Sequence, residues 1–164
     1  MSTKIIKFSI EFEEFESVEK LNPLDQELLV KAREARSNAY APYSHFFVGA
    51  SVRLEDGSIF TGNNQENAAY PSGICAERAA LFYAASQFPE KKILALAISC
   101  NSTSAEVNKP LSPCGGCRQV ISEYETKQGS PIRILMAGES GSILACSGID
   151  HLLPLRFKGE FVRK

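Results

Sequence analysis

Ile93-Leu94-Ala95-Leu96-Ala97-Ile98 is an almost unbroken apolar run. It is far too short to cross a bilayer and too evenly apolar for a half-exposed strand, so it reads as a central strand buried on both faces. Such a strand needs a covering layer on each side, and the flanking sequence supplies helices. One is expected from about Cys75 to Phe88. Another is expected to begin near Pro113 and run towards Thr126, ending before Gly129 and Pro131.

Further out, Asn22-Pro23 offers an N-cap followed by proline at the first helical position. Leu24, Leu28, Ala32, Ala35 and Ala39 continue it as an apolar stripe up to Ala41-Pro42. Phe47 to Leu54 and Ser58 to Gly62 read as strands joined by the turn Asp56-Gly57. Ile132 to Ala137 and Ile143 to Cys146 read as strands joined through residues 138–142, a link short enough to force them antiparallel. Asn101 to Pro110 is expected as a polar loop, and His151 on a short C-terminal helix. At the other end Ile6, Phe8, Ile10 and Phe12 alternate with Lys7, Ser9, Glu11 and Glu13, the period of a half-buried strand. The expected architecture is a three-layer α/β/α sandwich around a mixed five-stranded sheet, plus an extra N-terminal strand. Residues 1–21 form an extension with that edge strand, and residues 22–164 form one domain.

The chain has 164 residues, 44% of them hydrophobic, and a net charge of −1. That suffices for one well-buried core and is too little for two comfortable domains. A pI near 6.2 and the lack of a Lys/Arg run argue against a nucleic-acid partner, whose binding rests on clustered cations. No apolar stretch approaches membrane-spanning length, so no membrane partner is expected. Met1-Ser2-Thr3-Lys4-Ile5-Ile6-Lys7 lacks the apolar block of a secretory signal, and a cytoplasmic location is expected. Five cysteines is an odd number, suited to a reducing compartment in which thiols survive to bind metal.

The chemistry concentrates in Cys75-Ala76-Glu77-Arg78 and Pro113-Cys114-Gly115-Gly116-Cys117-Arg118-Gln119. Cys114 and Cys117, two residues apart, can grip one tetrahedral Zn²⁺. Cys75 from a distant segment makes a third ligand and leaves the fourth position open, as in a catalytic zinc site with one ion per chain. Glu77 lies two residues past a ligand, within reach of that open position, where a proton shuttle belongs. Three thiolates on Zn²⁺ leave a net charge of −1, which must be offset if water is to ionise there. Both segments fall at expected helix N-termini, whose unpaired N–H groups point positive charge at the sulfurs, and Arg78 can donate to a thiolate. A redox couple at Cys114 and Cys117 is the rival reading. It gives Glu77 and Arg78 no task.

These segments resemble the signature of the zinc nucleobase deaminases, with Cys75 where that signature has histidine. The resemblance is to the small three-cysteine cytidine deaminases, and it extends over roughly residues 24 to 157. Tyr40-Ala41-Pro42-Tyr43-Ser44, Phe46 and Val48-Gly49-Ala50 resemble that family's first loop and strand. Gly62-Asn63-Asn64-Gln65-Glu66-Asn67-Ala68-Ala69-Tyr70 resembles its nucleoside-binding segment.

The resemblance implies a zinc hydrolase that converts cytidine and deoxycytidine to uridine and deoxyuridine in pyrimidine salvage, releasing ammonia. It also implies a homotetramer with shared active sites. By the same resemblance Asn64 and Glu66 would hold the ribose 3′-hydroxyl, Phe46 would pack on the base, and the backbone of Ala76 would read the pyrimidine edge. Phe157 would close a neighbouring subunit's pocket, and Gln119 would stand behind the metal ligands. The antiparallel pair near the C-terminus fits nucleoside deaminases rather than nucleic-acid-editing relatives, which insert a helix there. A deaminase acting on another base is the alternative within the same chemistry. Arg78 disfavours the antibiotic-directed branch and the neutral charge disfavours RNA. Cys100, Cys146, His45 and His151 are expected to be structural.

Overall fold

A computed structural model of the chain describes residues 3–159 and Val162. Nine elements build the domain: β1 (Glu13–Phe15), α1 (Pro23–Arg36), β2 (Phe46–Leu54), β3 (Ile59–Asn63), α2 (Ala76–Gln87), β4 (Ile93–Ser102), α3 (Gly115–Gln128), β5 (Arg133–Ala137) and β6 (Ile143–Ser147). The strands form one six-stranded sheet in the order β1-β6-β5-β4-β2-β3. Only β4 and β5 pair in parallel, with α3 as the crossover between them. The hairpins β2/β3 and β5/β6 are antiparallel, as their short links require.

The apolar run sits where its composition demands. In β4, Leu96, Ile98 and Cys100 face α2 and α3, while Ala95 and Ala97 face α1, and all five are buried. Leu28, Leu29 and Ala32 of α1 close one side of the sheet. Ala76, Ala80, Leu81 and Ala84 of α2 and Ile121 of α3 close the other. Each fully buried Leu or Ile contributes roughly 1.5–3 kcal/mol relative to exposure, so this layering accounts for the fold. Asn22 caps α1, its side chain accepting from the Asp25 amide at 2.9 Å.

Gly49, Ser51, Ala95 and Ala97 are the small residues β2 and β4 turn towards α1, whose backbone comes close. A Cβ on Gly49 would lie 2.0 Å from the Ala32 carbonyl oxygen and 2.5 Å from the Arg36 nitrogen, both backbone atoms that cannot swing aside. Gly49→Ala is therefore expected to destabilise the protein by about 3 kcal/mol or more, read as a fall in denaturation midpoint.

Two expectations needed correction. The expected extra N-terminal strand is present at the sheet edge, paired with β6, but the alternation from Ile6 to Glu13 misplaces its bounds, since β1 spans only Glu13–Phe15. Residues 3–12 belong to no helix or strand; β6 ends at Ser147, which the β1 register sets opposite Glu11, so residues 3–10 lie beyond its edge. The polar loop expected from Asn101 starts only after Ser102, since β4 continues to that residue opposite Phe46 of β2.

Candidate active site

Three sulfurs meet where two helices begin. Cys75 is the N-cap of α2 and Cys114 the N-cap of α3, and neither side chain caps its helix. Their Sγ atoms lie 3.8 Å apart, and Cys114 Sγ lies 3.5 Å from that of Cys117. All three are within 4.8 Å of one another, and none is in a disulfide. A tetrahedral zinc with bonds of about 2.3 Å to sulfur separates its ligands by roughly 3.8 Å, so this donor set fits Zn²⁺ in both chemistry and spacing. The Arg78 guanidinium donates to Cys75 Sγ at 3.8 Å, and its Nε is buried without a protein partner.

Hydrogen bonds from Cys117, Arg78 and Cys114 draw the Cys75 thiol down to about 5, while Cys117 is pushed up as its counterpart. Arg78 and the α2 N-terminus both face the Cys75 sulfur. Glu77, in the first turn of α2, is only 5% exposed. Burial is the main cause that raises its carboxyl above the usual range, with the Cys75 sulfur adding to the effect.

Beside the sulfurs opens a cleft of about 730 Å³, the size of a small-ligand site. Its walls include Phe46, Asn64, Glu66, Ala76, Glu77 and Arg78. Three chain segments far apart in sequence are therefore brought together around one space.

Residues 23–129 match the family model described as the cytidine and deoxycytidylate deaminase zinc-binding region. The chain belongs to that family. It is 45% identical over 138 residues to a cytidine deaminase of Halalkalibacterium halodurans, covering 84% of this chain and 97% of that protein. Among solved structures, the cytidine deaminase from Burkholderia pseudomallei superposes with a TM-score of 0.69 at 36% identity, covering 80% of this chain and 97% of the other. That from Mycobacterium tuberculosis gives 0.60 at 34%, covering 80% and 95%.

In this deaminase Asn64 and Glu66 have a structural task. Asn64 Oδ1 accepts from the Val48 amide at 2.8 Å and its Nδ2 donates to the Phe46 carbonyl at 2.9 Å. Glu66 Oε2 accepts from the amides of Tyr43 and Ser44 at 2.9 and 3.2 Å, and bonds from Ser44 and Tyr43 lower its carboxyl. Both side chains thus bind the loop before β2 to the segment after β3, which shapes the cleft wall. Oε1 of Glu66 takes part in neither bond.

Phe157 is not among the residues lining the cleft of its own chain, and 59% of its surface is exposed. Gln119 does not reach the sulfurs. Its amide donates to the Phe157 carbonyl at 3.0 Å, tying the C-terminal segment to α3. His45 is exposed in a left-handed conformation, and His151 accepts a hydrogen bond from the Glu11 amide. Cys100 and Cys146 are buried, which raises both thiols to about 11.

Sequence reasoning missed several residues. Arg118 donates to the Pro113 and Leu152 carbonyls at 2.8 and 2.7 Å, fixing the loop before Cys114 against the C-terminal segment. Its place one residue after a ligand was the available signal. Tyr43 and Tyr70 meet edge to face at 6.3 Å beside the cleft, and Leu111 and Ser112 line it from the segment between β4 and α3. Nothing in their spacing announces a pocket.

Proposed function

We propose that this zinc-dependent deaminase acts on the free nucleosides cytidine and deoxycytidine in pyrimidine salvage, and that its residues divide the work as follows. Cys75, Cys114 and Cys117 hold the zinc. Bound there, zinc supplies Lewis-acid chemistry that brings the pKa of a water towards neutrality. Glu77 accepts a proton from the attacking water and delivers it to ring nitrogen N3, which makes C4 electrophilic. The water oxygen adds to C4. Glu77 then takes the remaining proton from the hydroxyl now on C4 and passes it to the exocyclic amino group, the C4–N bond breaks as the C4 carbonyl forms, and ammonia leaves with uridine as the other product. The observation that carries this reading is Glu77 itself, a carboxyl buried in the cleft wall beside the three-sulfur cluster.

Oε1 of Glu66 and the remaining capacity of Asn64 suit a ribose hydroxyl, which both donates and accepts. Phe46 gives the base a ring to lie on, and Ala76, buried at the start of α2, lies where the pyrimidine edge would pass. Residues 1–21 are read as an extension and 22–164 as the deaminase domain. Among the described residues no helix is long and apolar enough to cross a membrane, and a cytoplasmic location is the natural setting for a thiolate site. Ammonia release measured over cytidine, deoxycytidine, cytosine, adenosine and guanine tests the substrate class. Turnover of adenosine or guanine with none of cytidine overturns it.

Homotetrameric assembly with shared sites is part of the same proposal. Phe157 is not among the residues lining its own cleft, as the resemblance expects of a residue serving a neighbour. Dilution below the association range is expected to abolish activity, and Phe157→Ala to raise KM by about tenfold. A fully active monomer in sedimentation refutes it.

A further inference from the structure

Residues 3–12 precede β1, and all of them are exposed. Ile6, Phe8, Ile10 and Phe12 are among them, from 71% exposure at Ile6 to 42% at Phe12. Lys7, Ser9 and Glu11 fall between them. Large apolar side chains at every second position make a one-sided strand whose apolar face lacks a cover. The family match begins only at residue 23, so this arm is an addition outside the catalytic domain's matched region.

We propose that the arm pairs antiparallel with the arm of a second copy of this chain, about a two-fold axis through Ser9. The sequence is self-complementary in that register, with Ile5 opposite Glu13 as its unmatched pair on the polar side, whereas an axis through Ile10 moves the mismatch, Ile6 opposite Glu14, into the apolar face. Ile6 stands opposite Phe12, Phe8 opposite Ile10 and Ser9 opposite Ser9, while Lys7 stands opposite Glu11 and Lys4 opposite Glu14. Opposed residues on antiparallel strands share a face, so the apolar pairs gather on one side and the Lys7–Glu11 ion pairs on the other. Moving the axis one residue the other way sets Lys4 against Phe12. Parallel pairing in register sets Lys7 against Lys7 and Glu11 against Glu11, which costs stability.

The hydrogen bonds leave the required edge open. The Glu11 amide donates to His151 Nδ1 at 3.0 Å within its own chain. In a strand, alternate residues direct their N–H and C=O groups to opposite edges, so odd-numbered residues face the body and even-numbered ones face outward. The pairs Ile6–Phe12 and Phe8–Ile10 then exchange the backbone hydrogen bonds, and Ser9 meets Ser9 as a close pair without them. At each end the ribbon runs into a folded body. Glu14 belongs to β1 beside β6, so Lys4 of the second copy extends the edge of this chain's sheet. The contact is isologous and closes on itself, as a two-fold interface must.

Cysteine cross-linking of the full-length zinc-loaded protein tests the register. Ser9→Cys is expected to form a covalent dimer on mild oxidation, because facing Cα atoms at about 4.5 Å suit a disulfide. Lys7→Cys alone and Glu11→Cys alone are expected to stay monomeric on a denaturing gel, whereas a mixture of the two cross-links. That readout ignores any other subunit contact and is independent of catalysis. In a second measurement Lys7→Glu is expected to weaken arm-dependent association roughly tenfold, and Lys7→Glu with Glu11→Lys to restore it. Turnover should be unchanged throughout. A Ser9→Cys protein that cross-links no better than a Ser104→Cys control, as an arm folded onto its own chain or held by an unrelated protein would give, overturns the proposal. So does a Lys7→Cys homodimer, which marks another register.

Discussion

Glu77→Gln is expected to keep the fold and a full complement of zinc while losing about 10³-fold or more in turnover. The substitution is nearly isosteric, and Glu77 is neither a ligand nor a core apolar residue, so the sulfur cluster should survive it. What disappears is the carboxyl's ability to take up and release a proton. The reaction needs that ability at three moments: when water is deprotonated, when N3 is protonated and when the amino group departs. General acid–base catalysis is worth roughly 10²–10⁴ for one transfer, and a single group serving successive transfers places the loss at the upper end. Among the described residues lining the cleft, Glu66 is the only other carboxylate, and it is already engaged by the Tyr43 and Ser44 amides. Single-turnover kinetics with metal analysis of the same sample checks this. Turnover within tenfold of the parent would remove Glu77 from the mechanism.

The burial of Glu77 links the fold to that result. A carboxyl at the first turn of α2 is held there because Ala76, Ala80 and Ala84 press the helix flat against the sheet, leaving little room for water around it. Gly62 makes the same close approach from β3, where a Cβ would stand 2.5 Å from the Ala80 nitrogen. Substitutions there should loosen α2 and the position of Glu77 together, so stability and turnover are expected to fall in parallel.

Much of this was legible in the chain because the local signals agree with the tertiary outcome. The run at 93–98 has one physical solution, and the Asn22-Pro23 cap and the Asp56-Gly57 turn mark boundaries within a residue or two. The cysteines were legible because two residues between ligands and a helix N-terminus impose their own geometry. The arm was misplaced because alternation states only that one face wants burial. It does not state where the covering surface is, and within one chain β6 covers only Glu13–Phe15. The loop-tying roles of Asn64 and Glu66 were not legible. Their side-chain bonds to the 41–48 segment cross about twenty positions of sequence, and no local pattern carries such a pairing. Gln119 lies two residues after Cys117, about 200° around α3, so its amide meets the C-terminal segment, a pairing that no local pattern carries.

Cys117→Ala is expected to bring the zinc content from about one per chain to near zero, and activity with it. Cys117 is fully buried, so its sulfur is the ligand least exposed to replacement by water. Its loss leaves Cys75 and Cys114, two thiols at 3.8 Å on the rim of an open cleft. Two ligands cannot fix a tetrahedral ion, and the Cys75 thiol loses the hydrogen bond that most lowers it. Structural zinc in small thiolate sites contributes on the order of 10 kcal/mol of binding free energy, which is also free energy of folding for the segments it joins. Removing the metal should therefore loosen the N-termini of α2 and α3 and lower the melting temperature, in the Cys117→Ala protein and in the parent treated with chelator alike. Thiol alkylation gives a reading that does not depend on activity. In the zinc-loaded parent Cys75, Cys114 and Cys117 should resist modification, and after chelation all three should react. A metal-free protein as purified, with Cys114 and Cys117 freely alkylated and activity retained, would reinstate a dithiol reading of that pair. The arrangement of Arg78 opposes that outcome, because a guanidinium aimed at Cys75 Sγ has no counterpart in a Cys114–Cys117 couple.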